Sequence, residues 1–162
     1  GEEKSLNEVL PLVKEYGTAV IGLTIGDKGI PKTVGKRLEI AHKIVERAEA
    51  VGIPREDIII DCLALSLGSD DQAGLATLEA IQRVKKELGL NQTLGASNIS
   101  FGLPDRPLVN KAFLALAIGA GVTCPTVDAA KVRSTIAAID LILGRDRFSQ
   151  RFIKEYRRRH CD

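Results

Sequence analysis

The sequence contains no methionine and no tryptophan, and only two histidines and three cysteines among its 162 residues. Because histidine is scarce, neither a histidine-based metal site nor a histidine-dependent catalytic triad is expected. The spacing of Cys62, Cys124 and Cys161 matches no metal motif and no disulfide framework, so we expect reduced thiols and a cytoplasmic protein. No apolar run approaches the roughly 18 residues that cross a bilayer, so no membrane segment is expected.

Positive and negative charges nearly balance each other, with 23 basic and 21 acidic residues and a net charge of +2. This balance favours no polyanionic partner, and nucleic-acid binding is therefore not expected. Hydrophobic residues make up 44% of the chain and charged residues 27%, proportions typical of a globular protein. The length is sufficient for one domain with its own core, and we expect residues 1–162 to form a single domain.

Short apolar runs alternate with longer amphipathic stretches, at a strand-to-strand spacing of roughly 30 to 40 residues that is typical of one strand–helix unit. Strands are predicted over residues 18–25, 58–60, 93–97 and 122–127. Helices are predicted over residues 6–16, 33–51, 71–88, 107–120, 131–143 and 146–159. Such repeated units predict an α/β fold with parallel strands, either an open doubly wound sheet or part of a (β/α)₈ barrel.

Each predicted strand is followed by polar residues, and ligands of parallel α/β folds bind where the strands end. These residues are Thr24, Asp61, Asn98 and Asp128. Asp61 directly follows three isoleucines, and a carboxylate at the end of a buried strand is costly to desolvate unless it is paired. A ligand with adjacent N–H donors would pair with Asp61 through two hydrogen bonds, whereas a helix cap or a loop amide would do so without a ligand.

The loop of residues 95–106 is richer in functional groups than a plain connection requires. The Asn98 amide both donates and accepts, so it could follow a ring nitrogen whose protonation changes, or it could stabilise a turn within the loop. Ser100 follows it in the same loop. Arg106 could hold an anionic part of a ligand or pair with Asp105, and both alternatives remain open.

The segment Asn98-Ile-Ser-Phe-Gly-Leu-Pro-Asp-Arg106, followed by an apolar helix, closely resembles the pterin-binding methyltransferases. This family includes the methyltetrahydrofolate:corrinoid/iron–sulfur protein methyltransferases and the folate domain of cobalamin-dependent methionine synthase. Ile58-Ile-Ile-Asp61 and Ala19-Val-Ile-Gly-Leu-Thr24 fit the same family, so the resemblance covers nearly the whole chain. One departure is Cys62, which stands where the family usually has proline.

The resemblance implies a (β/α)₈ barrel that binds methyltetrahydrofolate as its substrate. It further implies transfer of the N5 methyl group to the cobalt of a cobalamin that a corrinoid partner protein carries. By the same resemblance, Asp61 is a pterin-binding aspartate, and Asn98 is the catalytic residue that hydrogen-bonds near N5. Ser100 and Arg106 are assigned to the folate site with them, and no metal is expected to bind this chain itself.

A barrel of this type needs about 250 residues, so the resemblance implies the C-terminal half, four βα units preceded by a helix. The absence of methionine, even at position 1, adds the expectation that the chain was processed, trimmed or engineered. Half a barrel would expose its inner face, so certain apolar strand residues need cover: Ile21, Leu23, Ile58, Ile60 and Leu94. We expect two copies to close one barrel as a homodimer; a rearranged open sheet and another oligomer are the alternatives.

The predicted function is therefore folate-dependent methyl transfer, weakened because half of the barrel is missing. The alternative is an inactive half-barrel fragment or engineered scaffold that folds and oligomerises without catalysis. A third, weaker hypothesis is a module that docks a corrinoid protein without folate. Replacing Asp61 and Asn98 with alanine distinguishes the first two, because only a folate site would lose binding.

Overall fold

The computed structural model describes residues 1–160, so Cys161, one of the predicted reduced thiols, lies outside the described residues. The three strands of this range are β1 (Val20–Leu23), β2 (Ile58–Asp61) and β3 (Asn91–Thr93). Its helices are α1 (Glu3–Tyr16), α2 (Val34–Ala50), α3 (Ala73–Leu88), α4 (Arg106–Ala120), α5 (Ala129–Ile142) and α6 (Gln150–His160). No helix among residues 1–160 is long and apolar enough to cross a membrane. The α/β class and the parallel sheet are confirmed.

The strands form one sheet in the order β1-β2-β3, with both pairs parallel. In the register, Ile21 pairs with Ile59, and Leu23 pairs with Asp61. Because side chains alternate between the two faces of a strand, these four residues share one face of the sheet, which we call the open face. Asp61 also pairs with Thr93 of β3.

The opposite face of the sheet is packed against helices α2 and α3. Ile58, Ile60 and Leu94 are fully buried, so the prediction that they need cover from another copy is wrong. The register explains the error, because Ile58 and Ile60 alternate with the open-face residues of β2 and therefore point toward the helices. Ile21 and Leu23 remain 52% and 40% exposed, so the predicted lack of cover is confirmed for them.

The predicted fourth strand, residues 122–127, is not a regular strand. It lies beside β3 with a single parallel bridge between Gly95 and Thr126. The backbone N–H of Thr126 donates to the carbonyl of Leu94, and the N–H groups of Thr123 and Cys124 share the carbonyl of Gln92. Residue 125 between them is proline, and because its position faces away from β3, the missing N–H removes only a donor to a further strand on the other side of the segment.

The third strand lies earlier than the predicted residues 93–97. A 3-10 helix, Ala96–Ser100, begins where the strand was expected to continue, and Ser and Asn side chains suit such turns better than a strand interior. The polar Gln92 belongs to the strand although it is fully buried. Its amide is satisfied, because Nε2 donates to the carbonyl of Ile81 and Oε1 accepts from the Cys62 thiol.

The helices follow the predicted bounds to within a few residues. The predicted helix over residues 33–51 is α2, and its apolar stripe is buried, as in Leu38, Ala41 and Val45. Helix α3 ends where Gly89 adopts a left-handed conformation with φ of 68°, and the N–H of Gly89 donates to two carbonyls of the last turn. Amphipathic spacing therefore located the helices more reliably than apolar runs located the strands.

Candidate functional site

Asp61 is the last residue of the central strand, and its side chain is half-buried on the open face. The neighbouring strand β1 leads into Thr24, whose backbone N–H and hydroxyl both donate to the Asp61 carbonyl, at 3.1 and 3.0 Å. This double contact fixes the backbone of Asp61 at the carboxyl edge of the sheet. The carboxylate is therefore presented from a rigid strand and not from a mobile loop.

One oxygen of the Asp61 carboxylate is engaged by the protein, because the backbone N–H of Leu63 donates to Oδ1 at 2.8 Å. Oδ2 makes no hydrogen bond with any other group in residues 1–160. Burial raises the pKa of the Asp61 carboxyl above its usual value, and the Leu63 N–H opposes that shift. The loop-amide alternative thus accounts for one oxygen, and the other is left to a further donor.

Asn98 lies in the 3-10 helix that follows β3, with its side chain exposed. Only its backbone is bonded within the loop: its N–H donates to the Gly95 carbonyl, and its carbonyl accepts from Phe101. The side-chain amide forms no hydrogen bond within the part of the chain that the structure describes. It packs against Gly95, where a Cβ atom would lie 2.9 Å from Nδ2. The Asn98 amide therefore keeps both its donor and its acceptor free.

The loop that follows Asp61 and the loop that carries Asn98 are joined by hydrogen bonds. The N–H of Leu67 donates to the carbonyl of Ile99 at 2.9 Å, and the hydroxyl of Ser66 donates to the carbonyl of Phe101 at 2.5 Å. Both loops follow neighbouring parallel strands, so the two candidate residues lie at the same edge of the sheet.

Arg106 contacts its own loop and not Asp105. Its Nε donates to the Ser100 hydroxyl at 3.1 Å, and Nη2 donates to the Ser97 carbonyl at 3.0 Å. The guanidinium carbon lies 5.5 Å from the centre of the Phe101 ring. Ser100 itself is fully buried, which places it behind Arg106 and away from the surface open to a ligand.

A cavity of about 370 Å³ adjoins this loop, between the N-terminal parts of α4 and α5. Arg106, Lys111 and Lys131 line it together with apolar side chains such as Leu114. Asp128, the last of the predicted strand-end residues, also lines it but is bound locally. It caps α5 by accepting from the N–H of Ala130 and pairs with Lys131, and these contacts lower its pKa.

Sequence reasoning missed Arg37, a residue of α2 that is only 2% exposed. Its guanidinium donates to the carbonyls of Pro31, Cys62 and Leu63. The signal was present, because position 37 falls on the same helical stripe as the apolar Val34, Leu38 and Ala41. A cation on a buried stripe needs partners, and here they are the carbonyls of the loops that follow β1 and β2.

Cys62, the departure from the family pattern, is buried, and that burial raises the pKa of its thiol to about 12. The thiol therefore stays protonated and donates to Gln92, which is a structural contact and gives no nucleophile. Within residues 1–160, no group of three or more His, Cys, Asp or Glu side chains is arranged to hold a metal ion.

Comparison with known proteins shows the family to which the chain belongs. The family described as pterin binding enzyme matches residues 2–128. The chain is 33% identical to a methionine synthase of Mycobacterium leprae, over 91% of this chain and 14% of that protein. It is 30% identical to a methylcorrinoid:tetrahydrofolate methyltransferase of Eubacterium limosum, over 97% of this chain and 60% of that protein.

A methionine synthase of Mycobacterium tuberculosis is 32% identical, again over 91% of this chain and 14% of that protein. The chain thus spans a seventh to three fifths of the length of these relatives. The parallel strands and their helices are consistent with part of a (β/α)₈ barrel. Because the family match covers well over half of its residues, the chain belongs to the pterin-binding enzymes.

Proposed function

We propose that this chain binds methyltetrahydrofolate and takes part in moving its N5 methyl group to the cobalt of a corrinoid on a partner protein or domain. One observation carries the proposal: at the same edge of a parallel sheet stand a carboxylate oxygen and a side-chain amide that make no hydrogen bond within residues 1–160. The names of the relatives support it, since one acts between a methylcorrinoid and tetrahydrofolate.

Asp61 would bind the pterin ring. A pterin presents an amino group beside a ring N–H, and a carboxylate accepts from two such adjacent donors in a bidentate manner. The Leu63 N–H occupies one of the lone pairs of Oδ1 and leaves the other, together with both lone pairs of Oδ2. The carboxylate can therefore bind the ligand without giving up its contact with the loop.

Asn98 would act at N5 of the folate. When the N5–methyl bond breaks, its electron pair stays on N5, so a proton on N5 makes the folate a better leaving group. The Asn98 amide accepts a hydrogen bond from protonated N5 and donates one to unprotonated N5, because it has both groups free. The corrinoid supplies the cobalt(I) nucleophile from its partner protein, and this chain contributes the binding and orientation of the folate.

Arg106 would hold the anionic end of the folate. Two of its nitrogens are used by Ser100 and Ser97, which orient the guanidinium while its outer edge stays exposed. Ser100 acts through Arg106 in this proposal. The adjoining cavity, with Lys111 and Lys131, gives room for carboxylates of the folate tail next to the pterin position.

Calorimetric titration with methyltetrahydrofolate tests the proposed function. We expect saturable but weak binding, because the described strands supply only part of the contacts that a complete barrel offers. A folded protein that gives no heat at millimolar ligand would reject the folate site.

The affinity should depend on pH through Asp61. Burial raises the pKa of this carboxyl in the folded protein, and the pterin N–H groups need the ionised form, so affinity should fall as pH drops through the raised pKa. The free energy of unfolding should change in the opposite sense. It should decrease as pH rises from the unfolded pKa to the folded pKa, because the folded state holds the proton more tightly there.

Both effects should disappear in Asp61→Asn, which cannot ionise. Titration calorimetry and urea unfolding at a series of pH values would measure them. An affinity that stays constant from neutral pH to about pH 4 would contradict the assignment of Asp61 as the pterin ligand.

Gly95→Ala should weaken folate binding without a matching loss of stability. The added Cβ would lie 2.9 Å from Nδ2 of Asn98, so the amide must move from its position. Gly95 has φ of −75°, which alanine adopts without strain. We expect a severalfold loss of affinity in calorimetry with a nearly unchanged urea midpoint. Gly35→Ala is the matched control, since no atom lies within 4 Å of its added Cβ.

We further propose that residues 1–162 form one domain, the C-terminal half of a barrel, and that a second copy covers its open face. Ile21 and Leu23 are exposed there beside the half-buried Asp61, which gives an apolar surface next to the proposed pterin position. A homodimer that closes an eight-stranded barrel, with residues 122–127 of each copy as the fourth strand, would bury this surface and the edge of β1.

Light scattering should then give twice the 17.5 kDa mass of one chain. Ile21→Glu should return the mass to that of a single chain, because it places a charge on the surface that the second copy must cover. Leu75→Glu, at a 68% exposed position of α3, should leave the dimer intact. A single-chain mass for the unmodified protein would contradict the homodimer.

The exposure of Ile21 and Leu23 also favours a second candidate function, an inactive half-barrel that folds and assembles without catalysis. Under this alternative, Asp61→Ala and Asn98→Ala change stability at most, and neither changes a binding signal. The paired variants therefore separate the two functions in one set of titrations.

A further inference from the structure

Arg37 is buried without a carboxylate partner in residues 1–160. Its side chain is 2% exposed, and it is held by neutral acceptors alone: the carbonyls of Pro31, Cys62 and Leu63 at 3.1, 3.2 and 3.1 Å, and the Thr77 hydroxyl at 3.5 Å. Burying a cation in this way is costly. An apolar side chain of similar volume would often fill such a space at lower cost, so this arginine calls for an explanation beyond packing.

The carbonyl acceptors of Arg37 belong to the two loops that leave the carboxyl ends of β1 and β2. Pro31 lies in the loop between β1 and α2, and Cys62 and Leu63 are the two residues directly after Asp61. The planar guanidinium presents several donors in fixed directions, so one side chain can hold both loops at once.

Leu63 has a backbone conformation that leucine rarely adopts, with φ of 57°. Such a left-handed conformation is unfavourable for leucine and persists only where its surroundings enforce it. Its carbonyl accepts from Nη1 of Arg37 and from the hydroxyl of Thr77 at 3.2 Å. Its N–H donates to Oδ1 of Asp61. The unusual backbone therefore connects the buried guanidinium to the Asp61 carboxylate.

We propose that Arg37 is a positioning residue for Asp61: it holds the Cys62–Leu63 backbone so that the Leu63 N–H fixes one carboxylate oxygen and the other is left for the ligand. The inference concerns the orientation of Asp61, and only the test with methyltetrahydrofolate rests on the proposed function. Arg37 itself is buried behind the loop and touches no substrate in this account.

The first test needs no ligand. The Asp61 side-chain carboxyl is titrated by carbon-detected NMR in the unmodified chain, in Arg37→Met and in Arg37→Lys. Because the Leu63 N–H stabilises the ionised form, its loss should move the Asp61 titration to higher pH in Arg37→Met. The Asp61 titration in Arg37→Lys should lie between those of the unmodified chain and Arg37→Met. An ammonium can reach some of the carbonyls but lacks the planar, branched donors of a guanidinium. Arg83→Met, at an exposed position of α3, is the control and should not shift it.

The second test is a double-mutant cycle on methyltetrahydrofolate affinity. Arg37→Met should weaken binding about tenfold when Asp61 is present and should have no further effect in an Asp61→Ala background, because its influence passes through that carboxylate. Independent effects of the two substitutions would overturn the proposal. So would an Asp61 titration that is unchanged in a folded Arg37→Met.

The role of Arg37 can still be decided if a variant does not fold or if the chain binds no folate. If Arg37→Met does not fold, Arg37→Lys and Thr77→Val are titrated instead, since Thr77→Val keeps the guanidinium but removes a hydroxyl that contacts both the Leu63 carbonyl and Arg37. An unshifted Asp61 in both folded variants would overturn the inference. If the unmodified chain binds no folate, the proposed function fails, while the NMR titration still decides the role of Arg37.

Discussion

Asp61→Ala is expected to lower the affinity for methyltetrahydrofolate roughly tenfold to a hundredfold. Hydrogen bonds to a charged group are worth about 1.5–3 kcal/mol, and the substitution also leaves the pterin donors without a partner in a partly buried place. The carboxylate stands on the rigid central strand, and its backbone is fixed by Thr24. Titration calorimetry measures the change directly.

Asp71→Ala serves as the control for this prediction. Asp71 is exposed in the loop before α3, so its removal takes away a nearby negative charge but no site contact. We expect its affinity to match that of the unmodified chain. Equal affinities for Asp61→Ala and the unmodified chain would remove Asp61 from the site.

Gly22→Val should produce a clear loss of stability. Gly22 lies on the buried side of β1, and a Cβ there would stand 2.6 Å from Cγ2 and 3.2 Å from Cδ1 of Ile44 on α2. The branched Ile44 side chain is itself fully packed and cannot swing aside, so strand and helix must separate. We expect a loss of about 1–3 kcal/mol in the free energy of unfolding, measured with urea.

Ile44→Ala tests the cause of that loss. Alone it should cost about 2–5 kcal/mol because it leaves a cavity, but in the Gly22→Val background it should cost much less, since the valine fills part of that space. Gly119→Ala, in a helix with no atom near the added Cβ, should stabilise by about 0.5–1 kcal/mol. Additive costs for the pair at positions 22 and 44 would show that the clash is not the cause.

The sequence predicted the α/β class, the helices and the strand that ends in Asp61, because 3.6-residue periodicity and a run of isoleucines are strong local signals. It missed the start of β3, since Gln92 is polar although buried, and its partners Ile81 and Cys62 come from distant segments. It also predicted a regular strand over residues 122–127, where a single parallel bridge to β3 forms. The error at β3 arises from hydrogen bonding that a local window does not contain.

For the candidate site too, local signals were predicted and contacts between distant segments were not. The residues that we propose for the chemistry, Asp61 and Asn98, were predicted from their position at strand ends and from a resemblance. What surrounds them was not predicted: the burial of Ser100, the contacts of Arg106 and the contacts of Arg37. These depend on which carbonyls meet in space after the loops close, and a sequence pattern gives no direct sign of that.

The central claim is that Asp61 and Asn98 belong to one pterin site, and amide NMR with methyltetrahydrofolate tests it most directly. The account predicts that the resonances of Asp61, Leu63, Asn98 and Phe101 shift together and fit one dissociation constant, with little change in α6. A well-dispersed spectrum that does not respond to millimolar ligand, or one that shifts only at residues remote from this edge of the sheet, would contradict it.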